Sequence, residues 1–546
     1  MMVRIFVLLF FWLAHLAVFA QQKPQLVLVI SVDQFRYDYL TRFGDQFGAR
    51  GFNLFFNHGA SFVNAQFDHS GTTTGPGHAV ILSGSHPAVN GIIANDWFDV
   101  QRNQTVYCVE DEGVQILGVQ GEEGRSPKNF IGMTVGDVLK LSNAGQAKVI
   151  AVSLKDRAAI LLGGKLADAA YWLVDSSFVS STYYFDKLPK WVQKFNAARK
   201  VNSNFGKVWD RLLPASAYAR QGADDAPGEE ADDGMGTTFP HRINGGQKKI
   251  TEEFFEAFRK SPFSSEVLAD FAKEAVVAEK LGQRGVTDLL CISFSANDVV
   301  GHDFGPGSHE VMDLTIRTDR ILENFFNFID QKVGLANCTM VLTSDHGVAD
   351  LPERIKKQNS KIAAVYRVSD DSLMAFAEKV LQQKWSAPQN GQPWILAEEG
   401  SNLYLNQSLF AEKGIERTIA EQILKNALGH LPYIHRVYTR TELERGQVQD
   451  EIGRKALNSF SPTRSGDIFY QLRPYSIEKE PTGTTHGSPW AYDTHVPMLW
   501  YGAAIQPGKY YGAVSIVDIA PTLAVILGVD FPGGLQGRVL ENLLKK

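Results

Sequence analysis

The residues of this chain best suited to chemistry are three aspartates and three histidines at widely separated positions: Asp33, Asp298, His302, Asp345, His346 and His486. Most of them follow short apolar, β-branched runs such as LVLVISV, LLCISF and TMVLT, which are typical of buried parallel strands. Ligands of open α/β sheets bind beyond the carboxyl ends of such strands. We therefore expect the six side chains to converge on one site.

These side chains suit a pair of metal ions. Three carboxylates and three imidazoles are the donors expected around two Zn2+ ions, each bound mainly through oxygen and nitrogen. Metal ions held about 3.5–4 Å apart are a common arrangement for displacement at phosphorus. The ligand set thus predicts a hydrolase that uses two Zn2+ ions.

A candidate nucleophile lies in the segment HSGTTTGPGHAVILSG, residues 69–84. Its Gly-Pro-Gly turn precedes an apolar run, which predicts a helix starting near Thr74, because proline suits a first helical turn and threonine caps free amides. A hydroxyl at a helix N-terminus faces about half a unit of positive charge, which favours an alkoxide and binds phosphate. Zinc coordination would lower its pKa further. Thr74 is the predicted nucleophile; Thr72, Thr73 or a capping role alone are the alternatives.

Alternating strands and helices must position these residues. Predicted strands cover residues 25–33, 148–154, 288–294 and 339–344, and predicted helices cover about 254–280 and 311–331. VPMLWYG and VSIVDIAPTLAVILG add one more strand and a final helix. This alternation predicts an α/β fold in which helices sandwich a mostly parallel sheet.

A single catalytic domain is predicted over residues 21–546, since strand and ligand signals span nearly all of the 546-residue chain. Two segments, about 163–254 and 350–481, interrupt the alternation and are interpreted as inserted cap regions that cover the sheet. The first contains the acidic run DDAPGEEADD, residues 224–233. Its proline and glycine favour a solvated surface loop over a metal site.

The first 20 residues, MMVRIFVLLFFWLAHLAVFA, have the pattern of a secretory signal peptide that is cleaved after Ala20. This stretch is too short for a stable membrane span, although an uncleaved anchor is the alternative. A formal net charge of -6 argues against a nucleic-acid partner, and three cysteines are too few for a disulfide framework. These features predict a periplasmic or secreted protein.

Seven segments in one order resemble the alkaline phosphatase superfamily, and specifically the PafA-type phosphomonoesterases, which use two zinc ions and a threonine nucleophile. They are the strand ending at Asp33, TGPGH, GIIANDWFD, SLKDRAA, NDVVGHDFGP, TSDHG and THGSPWAYDTHVP. The resemblance implies an alkaline phosphatase, expected to be a monomer, that hydrolyses small phosphate monoesters through a phospho-threonine intermediate.

The resemblance also implies roles for the site residues. One zinc would be held by Asp298, His302 and His486, and the other by Asp33, Asp345, His346 and Thr74. The phosphate would be contacted by Asn95, Lys155 and Arg157. This assignment uses all six candidate ligands, and it makes the candidate nucleophile Thr74 a ligand of the second zinc.

The segment SLKDRAA bears on the substrate class. If it continues a strand, Lys155 and Arg157 lie on one side of an extended backbone while Asp156 points away. Two cations on one side can face one phosphate, whereas a solvated surface pair is the ordinary alternative. The three aspartates and a threonine alkoxide balance the charge of two Zn2+ ions. The additional pair of cations therefore matches the dianion of a monoester better than the monoanion of a diester.

Three rival functions remain. A nucleotide pyrophosphatase or phosphodiesterase of the same superfamily shares the zinc ligands and the threonine but usually lacks the Lys and Arg pair. A sulfatase needs a Cys or Ser in a Cys-x-Pro-x-Arg type of segment, which TGPGH does not offer. A secreted protein could also bind the metals without turnover. Four further histidines near the candidate segments are expected to make structural hydrogen bonds: His69, His78, His309 and His495.

Overall fold

The computed structural model describes residues 23–230, 234–358, 364–387, 391–479 and 481–545. The predicted signal peptide, residues 1–20, and the end of the acidic run, residues 231–233, lie outside this range. Across these described segments, no helix combines the length and the apolar character that a membrane crossing requires. Cys108, Cys291 and Cys338 are buried and free.

A ten-stranded sheet forms the centre of the molecule. In spatial order its strands are Gly508–Tyr510, Ala60–Phe62, Met498–Gly502, Cys338–Thr343, Leu26–Val32, Asp288–Phe294, Val149–Ser153, Ala169–Val174, Ser177–Ser181 and Ile116–Leu117. The five strands from Cys338–Thr343 to Ala169–Val174 run parallel to one another. Antiparallel pairs flank them on both sides. The predicted α/β class with a mostly parallel sheet is confirmed.

Helices cover both faces of this sheet. Leu28 and Ile30 belong to the core that contains Phe326, whereas Val27 belongs to the core that contains Ile81 on the opposite face. The first strand can therefore be apolar throughout. The α-helices of the described chain are Asp38–Arg42, Phe52–His58, Thr74–Ser83, Pro87–Asn90, Val135–Ser142, Asp156–Gly163, Lys190–Ala197, Ala215–Tyr218, Glu252–Arg259, Pro262–Glu279, Ala296–Phe304, His309–Lys332, Pro352–Gln358, Asp370–Trp385, Gln407–Glu412, Arg417–Leu428, Arg440–Glu444, Glu451–Ser459, Ala491–Thr494 and Ile519–Leu527.

Two predicted elements differ from the structure. The single helix expected over residues 254–280 is two helices, because Pro262 lacks an amide hydrogen and starts a new helix, Pro262–Glu279, as its first residue. The segment 163–254 was expected to cover the sheet as a whole. Instead its first part supplies two strands, Ala169–Val174 and Ser177–Ser181, which extend the sheet at one side.

The segment 350–481 contains a separate four-stranded antiparallel sheet with its own apolar core. Its strands, in spatial order, are Ile395–Glu399, Asn402–Leu405, Ile468–Leu472 and Ile434–Thr439. Arg464 from this segment donates to the carbonyl oxygens of Gly91 and Asn129, and its guanidinium lies 4.7 Å from the ring centre of Trp97. These contacts tie the segment to the chain around Asn95.

The described part of the acidic run is anchored, which corrects the expectation of a solvated loop. Asp224 pairs with Arg211 at 2.5 Å and with His309 at 2.9 Å, and it accepts the amide hydrogen of Phe239. The Glu229 side chain is buried, and only one of its oxygens is hydrogen-bonded within the described residues, to the amide of Ala226 at 3.0 Å. Asp224 and Glu229 are therefore bound by other parts of the protein, whereas Asp225 and Pro227 of the same run are exposed.

Glu229 is expected to make the stability of the protein depend on pH. Burial raises the pKa of this carboxyl from 4.5 to about 9, so the folded state holds a proton that the unfolded state releases between these values. The free energy of unfolding should therefore fall as the pH rises through this window. We expect Glu229→Gln to flatten the fall in melting temperature between about pH 5 and pH 9.

Thermal melts of the wild type, Glu229→Gln and the exposed control Glu412→Gln over this pH range check the expectation. The difference between wild type and Glu229→Gln should widen toward pH 9. Parallel curves for all three proteins would contradict it.

Candidate metal centre and active site

The six candidate ligands come together as two groups of three. Within each group the ligand atoms all lie within 4.8 Å of one another. The members are Asp298, His302 and His486 in the first group, and Asp33, Asp345 and His346 in the second. The structure thus brings together residues that are as much as 453 positions apart, and divides them as the family resemblance implies.

The parallel sheet explains this convergence. Asp33 directly follows the strand Leu26–Val32, and Asp345 follows the neighbouring strand Cys338–Thr343 by one residue. Asp298 and His302 are four residues apart on the helix after the strand on the other side, so they lie on one helical face. All three strands end at the same edge of the sheet, where the ligands are expected to meet.

Main-chain carbonyl groups orient all three imidazoles. His302, His346 and His486 each donate Nδ1–H to a carbonyl oxygen, that of Thr484, Gly347 and Thr72 respectively, at 2.8 to 2.9 Å. This hydrogen bond fixes the tautomer and leaves Nε2 with a free lone pair. In every case Nε2 lies 3.3 to 3.5 Å from a carboxylate oxygen of its own group.

Buried polar atoms in the second group fit a bound cation. Oδ1 of Asp33 and Nε2 of His346 are buried and have no hydrogen-bond partner within the described chain, while Oδ2 of Asp33 faces the ammonium of Lys155. Buried polar atoms are nearly always hydrogen-bonded or bound to an ion, because leaving them unpaired is costly. Oxygen and imidazole nitrogen donors of this kind suit Zn2+.

The ammonium of Lys155 lies between the two groups. Its Nζ is 2.7 Å from Oδ2 of Asp33 and 2.5 Å from Oδ2 of Asp298, and 3.3 Å from Oγ1 of Thr74. A single cation therefore faces one carboxylate from each group and the candidate nucleophile. This position shows that positive charge is favoured between the groups.

Burial and neighbouring charges set the protonation of these side chains. Burial and the carboxylate of Asp298 raise the pKa of Asp33 well above its ordinary value. Burial also acts to raise the pKa of Asp298, but Lys155 and His302 outweigh it and lower that pKa well below its ordinary value. Burial lowers the pKa of His346 to about 3, so its imidazole is neutral and its lone pair is available to a metal ion.

Among the three consecutive threonines, Thr74 is the one whose hydroxyl contacts a candidate site residue, Lys155. It is the first residue of the helix Thr74–Ser83, so its hydroxyl lies at the positive end of the helix. Thr73 is the N-cap residue but makes no side-chain cap, and the Thr72 hydroxyl donates to the carbonyl oxygen of Ser488. The geometry therefore favours Thr74 over its two neighbours.

The helix Thr74–Ser83, which carries the candidate nucleophile, packs directly on the loop that carries Asp345. A Cβ atom on Gly77 would lie 2.1 Å from the carbonyl oxygen of Asp345, so only glycine allows this approach. His78 adds a second link, because its Nδ1–H lies 2.8 Å from the carbonyl oxygen of Thr74 and 3.2 Å from Oδ2 of Asp345. Its Nε2 accepts from Ser293 at 2.8 Å. His78 therefore makes the structural hydrogen bonds expected for it, and it also contacts the candidate ligand Asp345.

Lys155 and Arg157 line the same cavity of about 410 Å³, together with Leu154, Trp172 and Val299. The extended backbone proposed for them holds only in part. The strand ends at Ser153, Lys155 is extended, and a helix begins at Asp156, so Arg157 lies in the first turn of that helix. The two cations therefore reach one cavity by a strand-to-helix turn and not by strand alternation.

Asn95 lies beside the start of the helix Thr74–Ser83. Its Oδ1 accepts the amide hydrogen of Gly75 at 2.7 Å. Because that oxygen is engaged, the amide nitrogen of Asn95 is the end that remains for a phosphate oxygen. Nε of Arg157 is buried and has no hydrogen-bond partner among the described residues, which leaves it available as a donor.

Gln34 is a site residue that the sequence interpretation missed. It has a left-handed backbone with φ of 62°, its amide nitrogen donates to Oδ1 of Asp345 at 3.1 Å, and its Nε2 donates to Oδ1 of Asp298 at 2.8 Å. A Cβ on Gly301 would lie 1.9 Å from Oε1 of Gln34, so a larger residue there would displace the Gln34 amide. Gln34 thus bridges the two groups, and its place after Asp33 was the available signal.

The other histidines lie elsewhere. His309 pairs with Asp224, and His495 donates Nε2–H to the carbonyl oxygen of Val63 at 2.9 Å. His69 is fully buried and packs edge-on against Phe67, and neither of its ring nitrogens has a hydrogen-bond partner within the described residues, so the structural hydrogen bond expected for it is not observed there. None of these three belongs to either group of candidate ligands in the described chain.

The sequence is similar to a known family and to characterised proteins. The sequence profile of the family described as type I phosphodiesterase / nucleotide pyrophosphatase matches residues 27–402. Alkaline phosphatase PhoV of Synechococcus elongatus is 36% identical over 534 residues, which cover 96% of this chain and 93% of that protein. Alkaline phosphatase PafA of Elizabethkingia meningoseptica is 33% identical over 531 residues, which cover 96% and 95%.

The fold agrees as well. A crystal structure of wild-type alkaline phosphatase PafA superposes with a TM-score of 0.90 at 32% identity and covers 96% of this chain and 99% of that chain. The resemblance read from the seven segments is therefore confirmed. The chain belongs to the type I phosphodiesterase / nucleotide pyrophosphatase family of the alkaline phosphatase superfamily, and it is a phosphomonoesterase of the alkaline phosphatase kind.

Proposed function

We propose that this enzyme is an exported, zinc-dependent alkaline phosphatase that hydrolyses phosphate monoesters through a phospho-threonine intermediate on Thr74. One observation carries the proposal: the Thr74 hydroxyl lies at a helix N-terminus, beside two groups of three candidate ligands and 3.3 Å from Lys155, which lines one cavity with Arg157. The names of the relatives agree with this substrate class.

Two Zn2+ ions would be held by the two groups of candidate ligands. When bound, such ions stabilise negative charge on the attacking and leaving oxygens. Lys155 pairs with the carboxylates of Asp33 and Asp298 in this structure. If these carboxylates bound metal instead, the ammonium of Lys155 would be available to the substrate. The fit of the donors supports the choice of zinc.

The remaining chemistry belongs to side chains of this protein. Thr74 attacks phosphorus in line and displaces the alcohol, which forms the phospho-threonine. A water molecule then attacks the same phosphorus and returns Thr74 to its free form. Lys155, Arg157 and the amide nitrogen of Asn95 bind the nonbridging oxygens through both steps, because phosphoryl transfer depends mainly on positioning and charge stabilisation.

A nucleotide pyrophosphatase or phosphodiesterase is the second candidate, since the matching family carries that description. The two candidates differ in charge at the substrate. With two Zn2+ ions bound, the three aspartates and a Thr74 alkoxide would make the metal centre neutral. Lys155 and Arg157 would then add a net charge of two positive units at the substrate. A monoester dianion balances them, whereas a diester monoanion does not. This argument favours the phosphomonoesterase.

Arg157→Ala tests the choice. We expect it to lower kcat/KM for an aryl phosphate by about 10- to 100-fold, the cost of one or two charge-assisted hydrogen bonds, and to change diester hydrolysis far less. Arg259 lines the same cavity but pairs with Glu256 at 2.6 Å, so Arg259→Ala is the matched control. Turnover of an aryl phosphate, an aryl diester and an aryl sulfate is measured for each variant. Equal losses on monoester and diester would contradict the role.

Export and assembly complete the proposal. The first 20 residues support secretion to the periplasm or the medium, with cleavage after Ala20. The enzyme is proposed to act as a monomer on small-molecule phosphate monoesters.

A further inference from the structure

A chain of buried hydrogen bonds leads away from Arg157 and is not explained by phosphate binding itself. Nη1 of Arg157 donates to the hydroxyl oxygen of Tyr107 at 3.1 Å. That hydroxyl donates its proton to Oδ1 of Asp156 at 2.6 Å. The other oxygen of Asp156 accepts from Nε of Arg125 at 3.0 Å, and the Arg125 guanidinium lies 4.9 Å from the centre of the Tyr107 ring.

This arrangement leaves Tyr107 little freedom. Its amide hydrogen donates to Oε2 of Glu110 at 2.8 Å, and it pairs with Asp96 across a short hairpin. Burial raises the pKa of its hydroxyl well above the ordinary value, so the phenol stays neutral. A neutral hydroxyl that gives its only proton to Asp156 must offer a lone pair to Arg157.

The same hairpin carries a second phosphate contact. Asn95 directly precedes the strand Asp96–Asp99, which pairs with the strand Gln104–Tyr107, and the amide of Cys108 donates to the carbonyl oxygen of Asn95 at 2.8 Å. Asn95 is therefore part of this hairpin, and the same hairpin binds Arg157 through the hydroxyl of Tyr107. Neither Tyr107 nor Asp156 needs to touch the substrate for this.

We propose that Tyr107 is a positioning residue for Arg157, holding its guanidinium at Nη1 so that its other donors face the phosphate. This inference rests on the proposed function and identifies what orients the cation that selects monoesters. Without the hydroxyl, Nη1 of Arg157 and Oδ1 of Asp156 would each lose a partner, and the guanidinium would be free to turn within the cavity of about 410 Å³.

The experiment is a double-mutant cycle with Tyr107→Phe and Arg157→Ala, with inorganic phosphate as the probe. We expect Tyr107→Phe to weaken phosphate binding, measured as competitive inhibition and by calorimetry, about 3- to 10-fold, the size of one hydrogen bond. The ratio of monoester to diester kcat/KM should fall by a similar factor. In the Arg157→Ala background the same change should have an effect below about 2-fold.

Tyr510→Phe is the matched control, because Tyr510 lies in the edge strand Gly508–Tyr510 and its hydroxyl donates to the carbonyl oxygen of Gln506 at 2.8 Å. Equal losses in both backgrounds, or no loss in the wild type, would overturn the inference. If Tyr107→Phe does not fold, Asp156→Asn keeps the tyrosine and weakens the acceptor of its proton, with the same two outcomes. A failure of the proposed function would appear separately, as wild-type protein that lacks monoesterase activity.

Discussion

Replacement of Thr74 by alanine is expected to lower kcat for phosphate monoester hydrolysis by about 10,000-fold or more, a loss of the size seen when the nucleophile of a covalent mechanism is removed. Thr74 lies at the N-terminus of its helix, with its hydroxyl 3.3 Å from Lys155. No other group of the proposed mechanism can take over the attack. Thr74→Ser keeps a hydroxyl and should keep a measurable part of the activity.

Direct identification of the phosphorylated residue checks this assignment. Wild-type enzyme is quenched in acid during turnover, and its peptides are mapped by mass spectrometry. Thr73→Ala is the matched control, since this neighbouring threonine is half-buried and its hydroxyl has no hydrogen-bond partner within the described residues. The expected phosphopeptide contains phosphate on Thr74. Phosphate on Thr72 or Thr73, or on a peptide from another segment, would refute the assignment.

Removal of metal is expected to abolish activity and to lower the melting temperature. Three buried carboxylates lie close together, and burial with the Asp298 charge already raises the pKa of Asp33, so the site needs positive charge. A bound ion at a hundred times its dissociation constant adds about 2.7 kcal/mol to the free energy of unfolding. Zinc content, melting temperature and phosphate release are measured before chelation, after it and after addition of Zn2+.

Two zinc ions per chain and recovery of all three properties are the expected results. His486→Ala should lose one ion, whereas His495→Ala, which alters a histidine outside both ligand groups, should retain two. Full activity in protein that holds no metal would disprove the role of the six ligands. Metal binding without phosphate release would instead favour the non-catalytic alternative.

The general fold and the convergence of the ligands follow from the sequence because each rests on a local rule. Apolar strands such as LVLVISV are buried on both faces, and parallel strands end at one edge of the sheet, so Asp33 and Asp345 had to come near each other. His302 follows Asp298 by one helical turn. None of these inferences needs knowledge of how the loops run.

Other features depend on tertiary contacts that no local pattern encodes. The left-handed backbone of Gln34 is held by bonds to Asp345 and Asp298, which are distant in sequence. The sequence around Tyr107 gives no sign of a special role, because its contacts with Arg157 and Asp156 form only in the folded protein. The break before Pro262 is different: it is a local feature, and the prediction of a single helix over 254–280 was wrong because it overlooked the missing amide hydrogen of this proline.

The contact between Gly77 and the carbonyl of Asp345 limits how this enzyme can acquire new substrates. Because two main-chain segments of the protein are in contact there, side-chain substitutions cannot change the distance between the helix that carries Thr74 and the loop that carries Asp345. Variation that alters preference among esters must therefore fall on the walls of the neighbouring cavity, for example at Val299 or Trp172. In a mutant library selected for activity on bulky esters, codon 77 should remain invariant while those positions diversify.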